Sequence, residues 1–143
     1  MTDALSTLYQ ETILDHGRRP RNRRSLTGAT HRAGAQNPLC GDKIIAELRI
    51  DSRGRVEDAA FDGQGCAIAI ASASLMTETI KNRTLADVSA LSARLQTLLS
   101  GTGSEDLDGL GDLAVLAAVR AFPSRRKCAL LAWEALAAAL DGD

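Results

Sequence analysis

Two stretches in the first half of the chain predict an antiparallel β-hairpin. Between Lys43 and Asp51 apolar and polar residues alternate, and a period of two places one set on a single face of a strand. The apolar set is Ile44, Ala46, Leu48 and Ile50. Residues 51–54, Asp-Ser-Arg-Gly, are typical of a turn, and Val56 to Phe61 supplies the second strand. Upstream, the segment from Ser25 to Gln36, rich in Gly, Thr and Ala, is compatible with one short edge strand.

Apolar residues elsewhere recur with helical spacing and predict five helices. The predicted helices span Asp3–His16, Ala67–Asn82, Thr84–Ser100, Leu113–Phe122 and Arg125–Leu140. Gly17 and Pro20 are expected to end the first, Thr84 to cap the third, and Pro123-Ser124 to separate the last two. Strands come early and do not alternate with helices. The pattern therefore predicts an α+β fold, a small antiparallel β-sheet covered by about five helices, in a single domain over residues 1–143.

Composition and charge narrow the class of protein. The chain has 143 residues, a formal net charge of −1 and 3% aromatic residues, which argues against nucleic-acid binding. The longest charge-free apolar stretch, Cys66 to Met76, is about half the roughly 20 residues that a bilayer span requires, and the first residues lack a secretion signal. Three cysteines cannot all pair with one another, which is typical of a reducing compartment. We expect a cytoplasmic protein that binds neither nucleic acid nor membrane.

Five arginines lie between residues 18 and 24, in the segment Arg-Arg-Pro-Arg-Asn-Arg-Arg. Such a segment is either a solvated loop or a docking patch for an acidic surface of a partner protein. The second interpretation predicts that reversing Arg19, Arg21 and Arg23 to Glu weakens binding of that partner and reduces its salt dependence.

The three cysteines lie at the ends of predicted elements. Cys40 precedes the first strand of the hairpin, Cys66 lies between the second strand and a helix, and Cys128 falls in the first two turns of the last helix. A single cysteine is commonly a small buried apolar residue, whereas three thiols and Asp42 make a four-ligand set suited to tetrahedral Zn²⁺. Residues 40 and 42 lie on the same side of an extended segment and can face one ion. The basic run at residues 125–127 could offset the excess negative charge of the ligands.

Other kinds of catalytic site have less support in the sequence. His16 ends the first predicted helix, where an imidazole interacts with the helix dipole, and His31 lies in the loop before the hairpin. Ser72 and Ser74 fall inside a helix of small residues, without the G-x-S-x-G turn of serine hydrolases. A hydrolase built on a Cys–His or Ser–His pair lacks the third, orienting group. Phosphate-binding and dinucleotide-binding motifs are absent from the sequence.

Four segments resemble the iron–sulfur cluster assembly proteins of the IscU/NifU N-terminal family, and specifically its SufU branch. They are Leu8 to Asn22, Asn37-Pro38-Leu39-Cys40-Gly41-Asp42, Phe61-Asp62-Gly63-Gln64-Gly65-Cys66 with the residues up to Met76, and Phe122-Pro123-Ser124-Arg125-Arg126-Lys127-Cys128-Ala129. Lys127 stands where IscU proteins have a histidine, and residues 101–111 fall where SufU-type proteins carry an insertion. Both features resemble those of SufU-type proteins more than those of IscU proteins.

The resemblance implies a SufU/IscU-like fold and a function in iron–sulfur cluster assembly. SufU-type proteins are zinc-dependent sulfurtransferases, so a SufS-type cysteine desulfurase and downstream iron–sulfur assembly proteins are the implied partners. The implied zinc ligands are Cys40, Asp42, Cys66 and Cys128, with Cys40 as the acceptor of persulfide sulfur. Two alternatives stay open. The protein could be a scaffold that assembles iron as a [2Fe–2S] cluster on the same residues, or a structural zinc domain that serves as an adaptor.

Overall fold

A three-stranded antiparallel sheet in the order β1-β2-β3 forms one layer of the fold. In the computed structural model, which describes residues 2–38, 41–100 and 109–141, the strands are β1 (His31–Asn37), β2 (Asp42–Ile50) and β3 (Val56–Gln64). The predicted alternation of β2 is confirmed, because Ile44, Ala46 and Leu48 are completely buried. The predicted edge strand is β1, which pairs with β2 from Asn37 opposite Asp42 onward.

Within the described residues, four α-helices and one 3₁₀ helix accompany the sheet. They are α1 (Thr2–Arg18), α2 (Ala67–Ile80), α3 (Leu85–Leu99), the 3₁₀ helix (Gly111–Ala121) and α4 (Pro123–Asp141). The α4 helix packs against β1 and β2, and α2 contacts both α1 and α4. The prediction of an α+β fold with about five helices is therefore confirmed.

The apolar faces of these elements form one buried cluster. Trp133 of α4, Phe61 of β3 and Met76 of α2 are all completely buried. Every residue of α2 from Ala69 to Thr77 is buried, as expected of a helix that is covered on all sides. None of the described helices is long and apolar enough to cross a membrane.

Several helix boundaries differ from the prediction, and two of the differences involve a glycine or a proline. The α1 helix continues through Gly17 to Arg18. A glycine inside a helix costs only about 1 kcal/mol, which packing can offset. Pro123 begins α4 instead of separating it from the preceding helix, because proline suits the first helical position, where an amide would have no partner. The cap at Thr84 is confirmed, since its hydroxyl accepts a bond from the Asp87 amide at 3.1 Å.

The helix predicted at residues 113–122 is a 3₁₀ helix rather than an α-helix. Its buried residues are Leu113, Val115, Leu116 and Val119, and three of the four, Leu113, Leu116 and Val119, recur at every third position. This spacing matches the three residues per turn of a 3₁₀ helix. Residues 101–108, most of the predicted insertion, lie outside the described part of the chain.

The arginine-rich segment, residues 18–24, packs back onto the protein. The Asn22 carbonyl accepts a bond from the Phe61 amide and the Phe61 carbonyl accepts one from the Arg24 amide, both at 3.0 Å, so the segment follows the free edge of β3. Four of its arginines contact described groups of the chain, and Arg18 does not. Arg19 and Arg21 contact Asp15 (3.0 and 2.7 Å), Arg23 the Gly63 carbonyl (2.6 Å) and Arg24 Asp58 (3.0 Å). These hydrogen bonds and ion pairs fix the segment to the protein, unlike a loop that contacts only solvent. Its role in docking stays a prediction.

Candidate metal centre

Asp42, Cys66 and Cys128 come together in space although they are far apart in the sequence. One ligand atom from each residue, a carboxylate oxygen or a thiol sulfur, lies within 4.8 Å of the other two. Asp42 begins β2, Cys66 immediately precedes α2, and Cys128 lies in the second turn of α4. The structure thus brings together three of the four residues that the sequence predicts as metal ligands, and their role as ligands stays a prediction.

The Asp42 carboxylate is buried, with 8% of the residue exposed. Within the described residues it has no lysine or arginine partner, and its one polar side-chain contact is with Cys128, whose Sγ lies 3.8 Å from Oδ2. A carboxylate removed from water without a neighbouring cation is strongly unfavourable. A metal ion held by this carboxylate and the two thiolates would supply the missing positive charge, so the residues fit a bound cation.

Cys66 occupies the N-cap position of α2. Its backbone is extended (φ −69°, ψ 170°), its side chain makes no capping hydrogen bond, and the first turn of α2 contains no acidic residue. Residues at this position usually cap the first-turn amides with a side-chain oxygen. Here the thiol is exposed and able to face a ligand.

Cys128 is carried by the second turn of α4 and is half-buried. The sequence predicts that the basic run at residues 125–127 offsets the charge of the site. In the structure the Arg125 guanidinium stacks over the Phe122 ring, 4.7 Å from its centroid, and Lys127 is exposed. Compensation of the site charge by these residues stays a prediction.

A buried hydrogen-bond chain fixes α2 relative to α4 close to Cys128. The indole N–H of Trp133 donates to the Ser72 hydroxyl oxygen at 3.2 Å, and Ser72 donates to the Ala129 carbonyl at 2.8 Å. Ala129 directly follows Cys128. This chain therefore sets how the helix that begins after Cys66 lies against the helix that carries Cys128.

A second buried contact joins α1 to α2. His16 is 7% exposed, and its Nδ1 lies 2.7 Å from the Ser74 hydroxyl oxygen, which also accepts a bond from the Arg21 amide at 2.9 Å. Burial first, and then the nearby charge of Arg21, lower the pKa of His16. His16 lies in the last turn of α1, as the sequence predicts, and its imidazole contacts Ser74. Because Ser74 is completely buried, this pair is a structural contact between α1 and α2.

The histidines take no part in the three-residue group. The prediction that His31 lies in a loop is wrong, because His31 is the first residue of β1. Its Nδ1 lies 2.9 Å from the Thr30 hydroxyl oxygen. Among the residues that the structure describes, Asp42, Cys66 and Cys128 form the one cluster of histidine, cysteine or acidic side chains with metal-binding spacing.

Cys40, the predicted fourth ligand and sulfur acceptor, lies outside the described residues together with Leu39. The structure describes both sides of this position. Asn37 pairs with Asp42, and the Gly41 amide donates to the Asn37 carbonyl at 2.8 Å, so the chain reverses direction here. Two thiolates and one carboxylate leave one position of a tetrahedral site for a further ligand. That Cys40 fills it stays a prediction.

Comparison with known proteins gives consistent matches over most of the chain. The family model described as the NifU-like N-terminal domain matches residues 8–140. The zinc-dependent sulfurtransferase SufU of Bacillus subtilis is 40% identical over 132 residues, 92% of this chain and 88% of that protein. The iron–sulfur cluster assembly scaffold protein IscU of Streptococcus pyogenes is 35% identical over 136 residues, 95% of this chain and 84% of that protein. A crystal structure from Fervidobacterium islandicum, described as a scaffold protein for the SUF system, is similar with a TM-score of 0.81 and 27% identity, covering 94% of this chain and 97% of that one.

Proposed function

The chain belongs to the family of NifU-like N-terminal domains, and from this membership we propose that it accepts sulfur from a cysteine desulfurase in a zinc-dependent step of iron–sulfur cluster assembly. The observation that carries the proposal is the convergence of Asp42, Cys66 and Cys128 within 4.8 Å. The similarity to a protein named as a zinc-dependent sulfurtransferase supports zinc as the ion. The proposal includes a single domain over residues 1–143 that acts in the cytoplasm with a SufS-type desulfurase.

The donor set is chemically suited to Zn²⁺. Thiolates with one carboxylate form tetrahedral zinc sites, and Asp42, Cys66 and Cys128 would hold the ion with Cys40 as the fourth ligand. When bound, Zn²⁺ keeps coordinated thiols deprotonated near neutral pH. Lys127, at the position where IscU-type proteins carry a histidine, offers no neutral imidazole as a competing ligand.

Cys40 is the proposed sulfur acceptor. Its thiolate attacks the terminal sulfur of a persulfide on the desulfurase, and a bond forms between that sulfur and Cys40 Sγ. The bond between the terminal sulfur and the donor cysteine breaks, and the donor leaves as a thiolate. The transferred sulfur keeps its oxidation state, so the exchange needs no added oxidant or reductant.

A scaffold that assembles a [2Fe–2S] cluster is the second candidate. The IscU scaffold protein of Streptococcus pyogenes and the SUF-system scaffold structure are similar to this chain over most of its length. Thiolates and one carboxylate can also bind the irons of a cluster. The same three residues therefore serve both candidates, and experiment has to separate them.

The experiment that tests the proposal measures metal content and sulfur transfer on the same preparation. Elemental analysis of untagged protein should give about one zinc per chain. With desulfurase, cysteine and reductant, the wild-type protein should stimulate the desulfurase, and its intact mass should rise by one sulfur atom. Cys40→Ala should lose both effects, whereas Gln64→Ala, an exposed neighbour of the site, should keep them. Full stimulation by Cys40→Ala would rule out the mechanism.

Anaerobic reconstitution of the metal-free protein with iron and sulfide separates the alternatives. A stable cluster chromophore that transfers to an acceptor apoprotein would favour the scaffold. Unfolding on zinc removal, with an unreactive Cys40, would favour a structural zinc domain.

A further inference from the structure

Gly65 lies against the carboxylate of Asp42, immediately before Cys66. A Cβ atom at Gly65 would be 3.1 Å from Cγ of Asp42 and 3.2 Å from its Oδ2. It would also be 3.0 Å from Cβ of Ala69, in the first turn of α2. Contacts of 3.0 to 3.2 Å are shorter than ordinary van der Waals contacts, so a side chain at position 65 would compete with the Asp42 carboxylate for space.

Backbone conformation does not explain the glycine at position 65. Gly41 and Gly63 have φ values of 76° and 134°, which other residues rarely adopt, and a Cβ at Gly63 would overlap the Lys43 carbonyl oxygen. Gly65 is not among the glycines with positive φ, so its backbone can accommodate alanine. The feature that distinguishes Gly65 is the space its missing side chain leaves beside Asp42.

We propose that Gly65 is a positioning residue for the metal site, because its missing side chain lets the Asp42 carboxylate turn toward the thiols of Cys66 and Cys128. The inference rests on the proposed function, since it assumes that Asp42 is a ligand. An aspartate side chain has few staggered rotamers. A rotamer that avoids a methyl group at position 65 would move Oδ2 away from Cys128 Sγ, which now lies 3.8 Å from it. Glycine at position 65 therefore determines whether an oxygen ligand can join the sulfur ligands.

The test uses Zn²⁺ affinity, from competition with a chromophoric chelator, and the absorption bands of Co²⁺ bound in its place. Gly65→Ala should weaken Zn²⁺ binding about tenfold, the effect expected when a ligand's supporting residue is changed, and should shift the Co²⁺ d–d bands. Gly17→Ala is the matched control. Its added Cβ would lie 3.4 Å from Ala67 Cβ, an ordinary contact, so affinity and spectrum should not change. Circular dichroism of the metal-free proteins checks that each variant is folded.

Two double variants assign the effect to Asp42. Gly65→Ala with Ala69→Gly relieves the contact with α2 and keeps the contact with Asp42, so binding should stay about tenfold weaker. This variant also carries the test if Gly65→Ala alone does not fold. In an Asp42→Ala background, Gly65→Ala should cause no further loss, because the group it displaces is gone.

Three results would overturn the inference. The first is unchanged affinity and spectrum in Gly65→Ala and in Gly65→Ala with Ala69→Gly. The others are recovery of affinity on adding Ala69→Gly, and an equal loss in the Asp42→Ala background. Failure of the wild-type protein to bind either Zn²⁺ or Co²⁺ is a different result. It would refute the proposed function, and the inference on Gly65 would fall with it.

Discussion

The first turn of α2 and the middle of the same helix are held in opposite ways. At the start, the thiol of Cys66 is exposed and makes no capping bond. Two turns later, Ser72 and Ser74 are completely buried and bond to the Ala129 carbonyl of α4 and to His16 of α1. In the middle of the helix the serine hydroxyls form hydrogen bonds within the protein. At its start the thiol of Cys66 is available for a ligand.

This difference separates Ser72 and Ser74, which anchor the helix to its neighbours, from Cys66, which is a candidate metal ligand. The bond from Ser72 reaches the residue after Cys128, so one contact both anchors α2 and sets the distance between two ligand-bearing elements. Ligands carried on well-anchored elements keep their geometry. Changes at the exposed start of α2 should therefore alter metal binding, and changes in its middle should alter folding stability.

The largest effect is expected from Cys66→Ala. Loss of one of four ligands should weaken Zn²⁺ binding roughly 100-fold or more, while the free energy of unfolding of the metal-free protein changes by less than about 0.5 kcal/mol, because the residue is exposed. Chelator competition and denaturant unfolding measure the two quantities. Gln64→Ala, at the exposed last residue of β3, should change neither. A large loss of stability in metal-free Cys66→Ala would break the comparison.

Ser72→Ala should mainly lower folding stability, whereas Cys66→Ala mainly weakens metal binding. Ser72→Ala removes the acceptor of the Trp133 indole N–H and leaves this buried donor without a partner, and it also removes the bond from α2 to the Ala129 carbonyl, so the free energy of unfolding should fall by about 2 kcal/mol. Thr79→Ala is the matched control on the same helix, because the Thr79 hydroxyl bonds only to its own helix at the Leu75 carbonyl. Denaturant unfolding checks both variants. Equal stability losses in the two would mean that the bond between helices has no special role.

In the arginine-rich segment, Arg18 and Arg21 show the same contrast between a residue available for binding and a residue that anchors the fold. Arg18 has no described partner, whereas Arg21 contacts Asp15 and donates its amide to Ser74 in the anchored middle of α2. We expect Arg18→Glu to weaken desulfurase binding roughly fivefold at low salt without changing stability. Arg21→Glu should in addition lower the unfolding temperature. Binding by Arg18→Glu that matches the wild type at low salt would refute a docking role for this residue.

The smallest expected effect is the pH dependence of folding stability that comes from His16. Burial and then the charge of Arg21 lower its pKa in the folded protein below the ordinary value of 6.5. Below that pH the unfolded chain takes up a proton that the folded protein does not. The contribution of His16 is therefore fully present above pH 6.5 and is lost as the pH falls through the lowered value.

His16→Gln should flatten stability against pH in this window, and His31→Gln should keep the slope because it leaves His16 and Ser74 in place. Denaturant unfolding at a series of pH values gives the measurement. The pKa values of Asp15 and Asp58 are lowered below 3.8, so their contributions are lost only at more acidic pH. An unchanged slope in His16→Gln would assign the effect to another group.

The parts of the fold that follow from local pattern could be predicted from the sequence. The alternation in β2 and the cap at Thr84 depend on residues close in sequence, and both are confirmed. Predictions based on single glycines and prolines were less accurate. Gly17 lies inside α1 because packing against α2 outweighs its weak helix propensity, and Pro123 begins a helix because of its position. The helical pattern at residues 113–122 corresponds to a 3₁₀ helix, a type that the spacing of apolar residues alone does not distinguish from an α-helix.

The ligands of the candidate site were visible in the sequence because cysteines and an aspartate at element ends are chemically distinctive. The residues that support them were not. Ser72 bonds to a carbonyl 57 residues away, and Gly65 lies against a carboxylate of β2. One signal was available, since a single buried Trp133 needs an acceptor for its indole N–H. The sequence alone does not show which hydroxyl supplies it.

The position of Cys128 on α4 has a consequence for biosynthesis. A growing chain leaves the ribosome with β2 and the start of α2 long before α4, which packs back onto β1 and β2. Under the proposed function, Asp42 and Cys66 are therefore synthesised well before Cys128, and a nascent chain that stops before α4 carries an incomplete candidate site. Retention of metal would then report that translation has passed α4 and that this helix has docked.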